Sequence, residues 1–583
     1  MIGVLNHQED TAAVEEFFQL FKTPWAPYSP EESYDVVLVA GDEVPEIKSR
    51  LLIVFCSHPC PADTLWNFNS GEILAAPMLE AGNTQVPIYG EVLTFDSSDG
   101  ADSCVHVNQA AVGLRAKFGD QQVLRIGFDL FNEVKYLFSE GQPKERATIP
   151  TLDLHIDLIR RWILEAGIPL VEITPSPFGF SHSVCLTHDI DFIGIRPHLL
   201  DHTLWGFAYR ATLVALRDRL RRRISTGQLW RCWKAVLSLP LVYCGLAKDF
   251  WLPFEWLMQI ENDLPTTYFL IPFKRMAGRK ITAQHPNRRA AAYDVTDIPN
   301  WTQTLAEAGC EIGVHGIDGW NNKVDGEKEM QQISSVTGCT NLGVRTHWLL
   351  RDKETCRLLE EAGYRYDATE GYNETPGYRA GTGQVYKPHG ARRLLELPLH
   401  IQDGALFFPE RLGLLDEKAW ELCYGFLERA SLYGGVLTIL WHDRSHAPER
   451  FWGGFYIRLI HELRNRNVWF CTGAQAVQWF SDRRKVTFQR TQNGTVKMVA
   501  HSGNGKALRP LSLRIHAPRF QLEPSDTTAR WVEESWDGEV DLDLSMRVKR
   551  AMEETSETYA GSQRQGVDGS TLVRHIKNSS FQR

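Results

Sequence analysis

Between about Ser183 and Phe480 the apolar positions repeat one unit: an amphipathic stretch, a glycine, a short apolar run, and a polar residue where the run ends. Leu305-Ala-Glu-Ala-Gly309 leads to Cys310-Glu-Ile-Gly-Val and then His315, and a stretch ending near Gly338 leads to Leu342-Gly-Val and Arg345. Leu358-Leu-Glu-Glu-Ala-Gly363 leads to Tyr364-Arg-Tyr and Asp367, and Gly434-Gly435 leads to Val436-Leu-Thr-Ile-Leu-Trp and His442. Helical periodicity broken by glycine and followed by a short apolar run predicts alternating helices and parallel strands. Polar groups at the C-terminal ends of such strands converge on one face of a β/α barrel, where they build a site.

The flanking segments read differently. Residues 1–172 alternate β-type runs (Asp35-Val-Val-Leu-Val-Ala, Leu51-Leu-Ile-Val-Phe, Val123-Leu-Arg-Ile-Gly-Phe) with helical stretches, predicting an α/β domain. Its last helix, about Asp153–Ala166, carries Leu154, Leu158, Ile159, Trp162 and Ile163 on one face and stops at Gly167, with Pro169 beyond. Thr174-Pro-Ser-Pro-Phe-Gly-Phe-Ser has linker composition. After Lys485 the pattern turns to strand alternation, predicting a small β domain over 483–547, and the Ser-, Thr- and Gln-rich 548–583 reads as a disordered tail.

Composition narrows the classes. With 583 residues, more than one core is expected, and 43% hydrophobic with 23% charged residues excludes global disorder. A net charge of −9 argues against a nucleic-acid partner. Eleven scattered cysteines read as reduced core thiols, and no charged leader precedes an apolar run at the N-terminus. The Ala235–Ala247 apolar stretch is too short to span a bilayer, so a cytoplasmic protein is expected, with oligomeric state open.

The strongest chemical signal is Val184-Cys-Leu-Thr-His-Asp189-Ile-Asp191, an apolar strand ending in two carboxylates. Positions i and i+2 of a strand share a face, so both carboxylates reach one cavity. Two buried carboxylates are costly unless a cation neutralises one, which suits a metal beside one and a base role for the other. Glu311-Ile-Gly-Val-His315-Gly-Ile-Asp318, Gly343-Val-Arg345-Thr-His347-Trp348 and Leu440-Trp-His442-Asp443-Arg444 follow in order. Each alone also fits a solvated turn or a satisfied histidine; four such strand ends in one series favour a site.

In these motifs and their order, residues 183–480 resemble the polysaccharide deacetylase (NodB-homology) family of carbohydrate esterases. The resemblance implies a distorted (β/α)7-type barrel over 173–482, with Asp189 as general base, Asp191 and His315 as metal ligands, Arg345 orienting the base, and His442 as general acid. The stretch from Tyr366-Asp367-Ala-Thr-Glu-Gly to Glu396-Leu-Pro-Leu resembles the subgroup of bacterial surface-glycan clusters. Two departures stand out: the second motif's further histidine is replaced by Gly319, and the proline of Arg-x-Pro by His347. We read them as linked, His347 completing an Asp191–His315–His347 set for a divalent metal, expected to be Zn²⁺, with Asp318 as substitute. Trp348, Asp367 and Trp441 are candidates for substrate contact. The expected reaction is removal of an N-acetyl or other N-acyl group from an amino sugar of a surface glycan or its lipid-linked precursor. Deformylation of a lipid-linked amino sugar and a degenerate glycan-binding or assembly protein are the alternatives.

A helical insertion, 196–261, departs from a compact barrel. Residues 210–234 hold eight Arg and Lys against one acid, Asp218, with Phe207, Leu213, Leu216, Leu220 and Ile224 at near-helical spacing. Such a stretch over 207–247 suits peripheral contact with an anionic membrane, or a solvated helical excursion packed on the barrel. The N-terminal domain contains no Gly-x-Gly-x-x-Gly loop and no nucleophile elbow at Cys56 or Cys60, and is expected to be non-catalytic.

Overall fold

The computed structural model describes residues 1–96, 100–279, 290–491, 495–500, 509–518, 531–536, 542–544 and 547–551. The chain forms two compact units: one comprises 1–180, 380–384 and 478–583, the other 181–379 and 385–477.

In the first unit, strands Trp25–Pro27, Ile2–Leu5, Val36–Ala40, Leu51–Phe55 and Gln121–Ile126 pair in parallel, in that spatial order. The sheet continues antiparallel through Ala110–Phe118, Asp102–Val107 and Met78–Ala81 to Thr84–Pro87, an added antiparallel half that the helix–strand alternation did not foreshadow. The last helix runs Thr151–Glu165. The first half of the stretch with linker composition is instead strand: Leu170–Pro177 pairs antiparallel with Leu511–His516. It is the edge of its three-stranded sheet, where prolines are tolerated because an edge strand need not donate on both sides. Val486–Arg490, Val496–Ala500, Trp531–Trp536 and Leu542–Asp543 are the other described strands beyond residue 485. The expected tail lies outside the described residues from 552 onward.

The second unit carries the barrel. Its strands, in chain order, are β1 (His182–Ile190), β2 (Thr266–Leu270), β3 (Glu311–Gly316), β4 (Val344–Thr346), β5 (Tyr366–Asp367), β6 (Leu395–Glu396), β7 (Ile401–Gln402), β8 (Val436–Leu440) and β9 (Val468–Phe470). All pair in parallel, in the order β6-β5-β4-β3-β2-β1-β8-β7, with β9 beside the start of β1. The two edges belong to one extended stretch. Leu397 N donates to Asp367 O and Leu399 N to Glu370 O, while His400 N donates to Thr438 O on β8. Residues 395–402 therefore bridge β5 and β8 and close a seven-staved barrel, as the helix–glycine–strand rhythm and the family resemblance imply.

The helices between staves end where the sequence places glycines. Gly338 (φ 73°) and Gly363 (φ 96°) adopt the left-handed conformation that stops their helices, which a β-carbon would disfavour. Along β1 the side chains divide by parity. Val184, Leu186 and Ile190 enter the core between sheet and helices, while Thr187 and Asp189 meet Arg345 inside the barrel. Every residue of β1 is buried, as a central parallel strand covered on both faces must be.

Candidate metal centre

The parallel register lines up the strand ends. His315 pairs with Arg345, Asp189 with Phe269, and Thr187 with Leu440. The side chains beyond these pairs therefore reach the barrel mouth at one level, in a cleft of about 290 Å³. Asp189, Asp191, His315, His347 and His442 all line it.

Asp191 Oδ1 stands 3.4 Å from His315 Nε2 and 3.2 Å from His347 Nε2. One donor atom from each of the three residues lies within 4.8 Å of the others. His315 Nδ1 donates to Arg345 O at 3.0 Å, which fixes the tautomer and leaves Nε2 with its lone pair toward Asp191. Asp191 Oδ1 is buried without a hydrogen-bond donor in good geometry, an orphaned anion between two imidazoles. Burial alone would raise the Asp191 pKa, but the positive charge that His347 and His315 carry when protonated holds it well below the ordinary carboxylate value, a role that a bound cation would take over from those protons. Two nitrogens and a carboxylate oxygen converging from one side suit a divalent cation with further positions open to water. The residues present fit such an ion.

His347 reaches this position through a strained turn. Trp348 (φ 68°) and Leu349 (φ 52°) both lie in the left-handed region, which costs non-glycine residues on the order of 1–2 kcal/mol each. Thr346 Oγ1 donates to Leu350 O at 2.7 Å across the turn, and Asn373 Nδ2 to Trp348 O at 2.8 Å. Trp348 lines the cleft.

Asp318 does not join the set. Its Oδ1 accepts from Arg279 N at 2.6 Å, and its own N–H donates to Glu329 at 2.6 Å. Gly319 is tight for a side chain: a β-carbon there would lie 3.0 Å from Gly326 Cα and 3.1 Å from Glu329 Oε2, so its neighbours would have to give by a few tenths of an ångström. The turn is pulled onto the helix Lys323–Thr337, where Glu329 accepts from the N–H groups of Asp318 and Gly319. Burial pushes the Glu329 carboxyl up to about 7.

On one flank of the trio, Asp189 Oδ1 accepts from Arg345 Nη1 at 3.0 Å, and its Oδ2 lies 3.9 Å from His315 Nε2. Arg345 is fully buried. Nε donates to Ala368 O, Nη1 also to Thr187 Oγ1, and the guanidinium lies 4.6 Å from the Phe269 ring centre. On the other flank His442 donates from Nδ1 to Asp403 Oδ1 at 2.5 Å. Asp403 Oδ2 accepts from His442 N at 3.0 Å and from Ser445 Oγ. Burial works against the charged ring, but the Asp403 carboxylate outweighs it and raises His442 to about 9. Nδ1 is thus occupied, and Nε2 is left for the cleft.

The sequence reading passed over Asp403, and over Asp443 and Arg444 in the cleft wall. Burial, with the nearby Asp191 charge, pushes Asp443 up to about 7, and its Oδ2 has no hydrogen-bond partner. Burial pulls Arg444 down to about 9, and its guanidinium lies 3.9 Å from the Phe192 ring centre. Two substrate-contact candidates are corrected. Trp441 is fully buried, stacked 4.8 Å from Tyr456 and 5.8 Å from Phe455 on the helix side of β8. Asp367 is 2% exposed, lies outside the cleft lining, and accepts at Oδ1 from Thr369 N at 3.1 Å and from the Thr369 hydroxyl.

An α/β barrel is the arrangement that resemblance to the polysaccharide deacetylases implies, and at its mouth stand Asp191, His315 and His347, which could hold an ion. No protein-family model matches the chain, and no curated protein matches it. Among solved structures it is similar to a Mycobacterium smegmatis protein assigned as a polysaccharide deacetylase, with 20% identity, 55% of this chain and 99% of that one covered, and TM-score 0.33. It is also similar to the carbohydrate deacetylase Agd3 (10% identity, 93% and 99% covered, TM-score 0.35) and to the PuuE allantoinase (14%, 52% and 92%, 0.31). These likenesses are remote, and the chemistry below rests on the cleft itself.

Proposed function

We propose that this chain is a metal-dependent hydrolase that removes an N-acyl group, acetyl foremost, from an amino sugar of a surface glycan or its lipid-linked precursor. The observation that carries the reading is a single cleft in which three donor atoms that could hold a cation lie between an Arg-paired carboxylate and a histidine whose pKa a buried carboxylate raises. A divalent cation, Zn²⁺ foremost, supplies Lewis acidity and an acidified water when bound by Asp191, His315 and His347. Asp189 takes the proton from the attacking water on Oδ2, since Arg345 occupies Oδ1 and keeps the carboxylate oriented. His442 gives its Nε2 proton to the departing amine, which an amide needs because an unprotonated amide nitrogen is a poor leaving group. Asp403 holds that imidazolium in place and charged.

The test is metal content of protein purified without chelator, together with acetate release from N-acetylated amino sugars. About one divalent cation per chain with turnover is expected, with the cation lost in His347→Ala and kept by an inactive Asp189→Asn. Wild type without metal or turnover after reconstitution would sink the reading and leave glycan binding without catalysis.

A further inference from the structure

The insertion in the barrel unit forms a helical hairpin that is apolar on two opposite sides. Its first arm runs from His202 to Leu220 with one π turn, and its second from Thr226 to Tyr243. The inner stripes, Leu204, Phe207, Ala211 and Ala215 on one arm and Leu229, Cys232, Ala235 and Val242 on the other, share one buried cluster with Trp251 and Ala447. Because both arms bury one stripe in the same cluster, their opposite stripes face outward together. Those outer stripes are not polar: Trp205, Leu213, Leu220, Trp230, Leu237 and Leu241 are 51% to 78% exposed. In the second arm Trp230, Lys234, Leu237 and Leu241 follow at helical spacing on this outer line.

A helix with one buried stripe ordinarily presents charge on the other side, so contiguous outward apolar stripes mark a binding surface. The charges around it say which kind. Arg217, Arg221, Arg222, Arg223, Arg231 and Lys234 are exposed, with Asp218 the one acid in this stretch, in a protein of net charge −9. Large apolar side chains interleaved with Arg and Lys on a short helical pair match the boundary of an anionic lipid surface, where the apolar groups enter the acyl region and the cations meet headgroups. An acidic protein partner would satisfy the charges but offers less to exposed leucines and tryptophans set along two helices. Among the described residues no helix is long and apolar enough to cross a membrane, so the hairpin lies on the surface rather than through it.

We infer that the 202–243 hairpin docks the protein on an anionic lipid surface. This stands apart from the hydrolytic reading, since it needs neither metal nor turnover. The experiment is flotation of the purified full chain with vesicles of phosphatidylcholine alone or with one third phosphatidylglycerol, across a salt series. Wild type should float with the anionic vesicles only and be released by salt. Leu213→Glu/Leu220→Glu/Leu237→Glu should stay in the soluble fraction with an unchanged melting temperature, because all three side chains already face water. Arg221→Ala/Arg222→Ala/Arg223→Ala should lower the partition coefficient about a hundredfold, at roughly fivefold per cation. Wild type that stays down with both vesicles, or a triple Glu variant that floats as well as wild type, overturns the inference. So does lipid-free self-association that the Glu substitutions abolish without any flotation, which would make this face a protein interface.

Discussion

Asp403→Asn keeps the shape beside His442 and removes the charge. Four groups converge on that carboxylate: His442 Nδ1 at 2.5 Å, Gly404 N at 2.6 Å, His442 N at 3.0 Å and Ser445 Oγ. An ordinary imidazole titrates at 6.5, burial lowers that figure here, and the Asp403 charge carries it to about 9. His442 gains its pKa from a partner, so the acid form is full below 6.5 and is lost as pH rises through about 9. Without the Asp403 charge its pKa falls toward the ordinary 6.5, with the Asp189 and Asp191 charges still acting to raise it. Near pH 8 the protonated fraction then drops from about 0.9 toward about 0.03 as the pKa approaches 6.5, a loss of up to about thirtyfold in turnover, whereas near pH 6 the loss stays under about 1.5-fold. The assay is a pH profile of kcat for acyl release, with melting temperature checked at each pH. The alkaline limb should move toward acid and activity should recover on acidification. An equal loss at every pH, with the limb unmoved, would refute the acid assignment and leave Asp403 a structural residue.

Three further outcomes follow from the site. Gly319→His, the substitution that would restore the family's second-motif histidine, should add no cation affinity and lower stability by about 1–3 kcal/mol, because its β-carbon meets Gly326 Cα at 3.0 Å; thermal melts and cation titration check both. Trp441→Ala should act through the fold, costing about 3–5 kcal/mol in denaturant unfolding and leaving KM nearly unchanged, because the ring packs on Phe455 and Tyr456 behind β8. Arg345→Met should cost about 3–5 kcal/mol by stranding the Asp189 carboxylate in a buried site, a loss that Arg345→Met/Asp189→Asn recovers in part while turnover stays absent.

How far the sequence discloses this site depends on whether a position is set by local periodicity or by a distant neighbour. The barrel is legible because its helix–glycine–strand unit recurs, and Asp189 with Asp191 because strand parity alone aims both inward. The same parity argues against Trp441: if Leu440 and His442 face the cleft, the residue between them faces the helices. Asp403 escapes because nothing in Gln402-Asp403-Gly404 marks it. Only the pairing of Gln402 with Leu440 brings its carboxylate beside His442, and that pairing needs the closing strand, whose few paired residues carry no periodic signal. The turn after His347 escapes for another reason, since tryptophan and leucine give no hint of left-handed backbone.

The two departures from the family pattern are one physical arrangement. Gly319 and Gly326 oppose each other, each crowding the space a side chain of the other would need, so the 316–319 turn sits directly on the helix Lys323–Thr337. Glu329 locks that approach by accepting from the Asp318 and Gly319 amides. A side chain at 319 would face the helix and not the mouth, so on the proposed reading the third donor comes from a stave adjoining β3. In the β3–β4 register Gly316 lies beside Thr346, which sets residue 347 one step beyond, at the level of the mouth. The left-handed pair at 348–349 turns the chain there, and His347 Nε2 meets the same Asp191 oxygen as His315, with ring centres 4.8 Å apart. The proline expected at 347 from the family pattern offers no donor atom, so on the proposed reading the tight turn at 319 and the histidine at 347 go together as loss and replacement of one ligand.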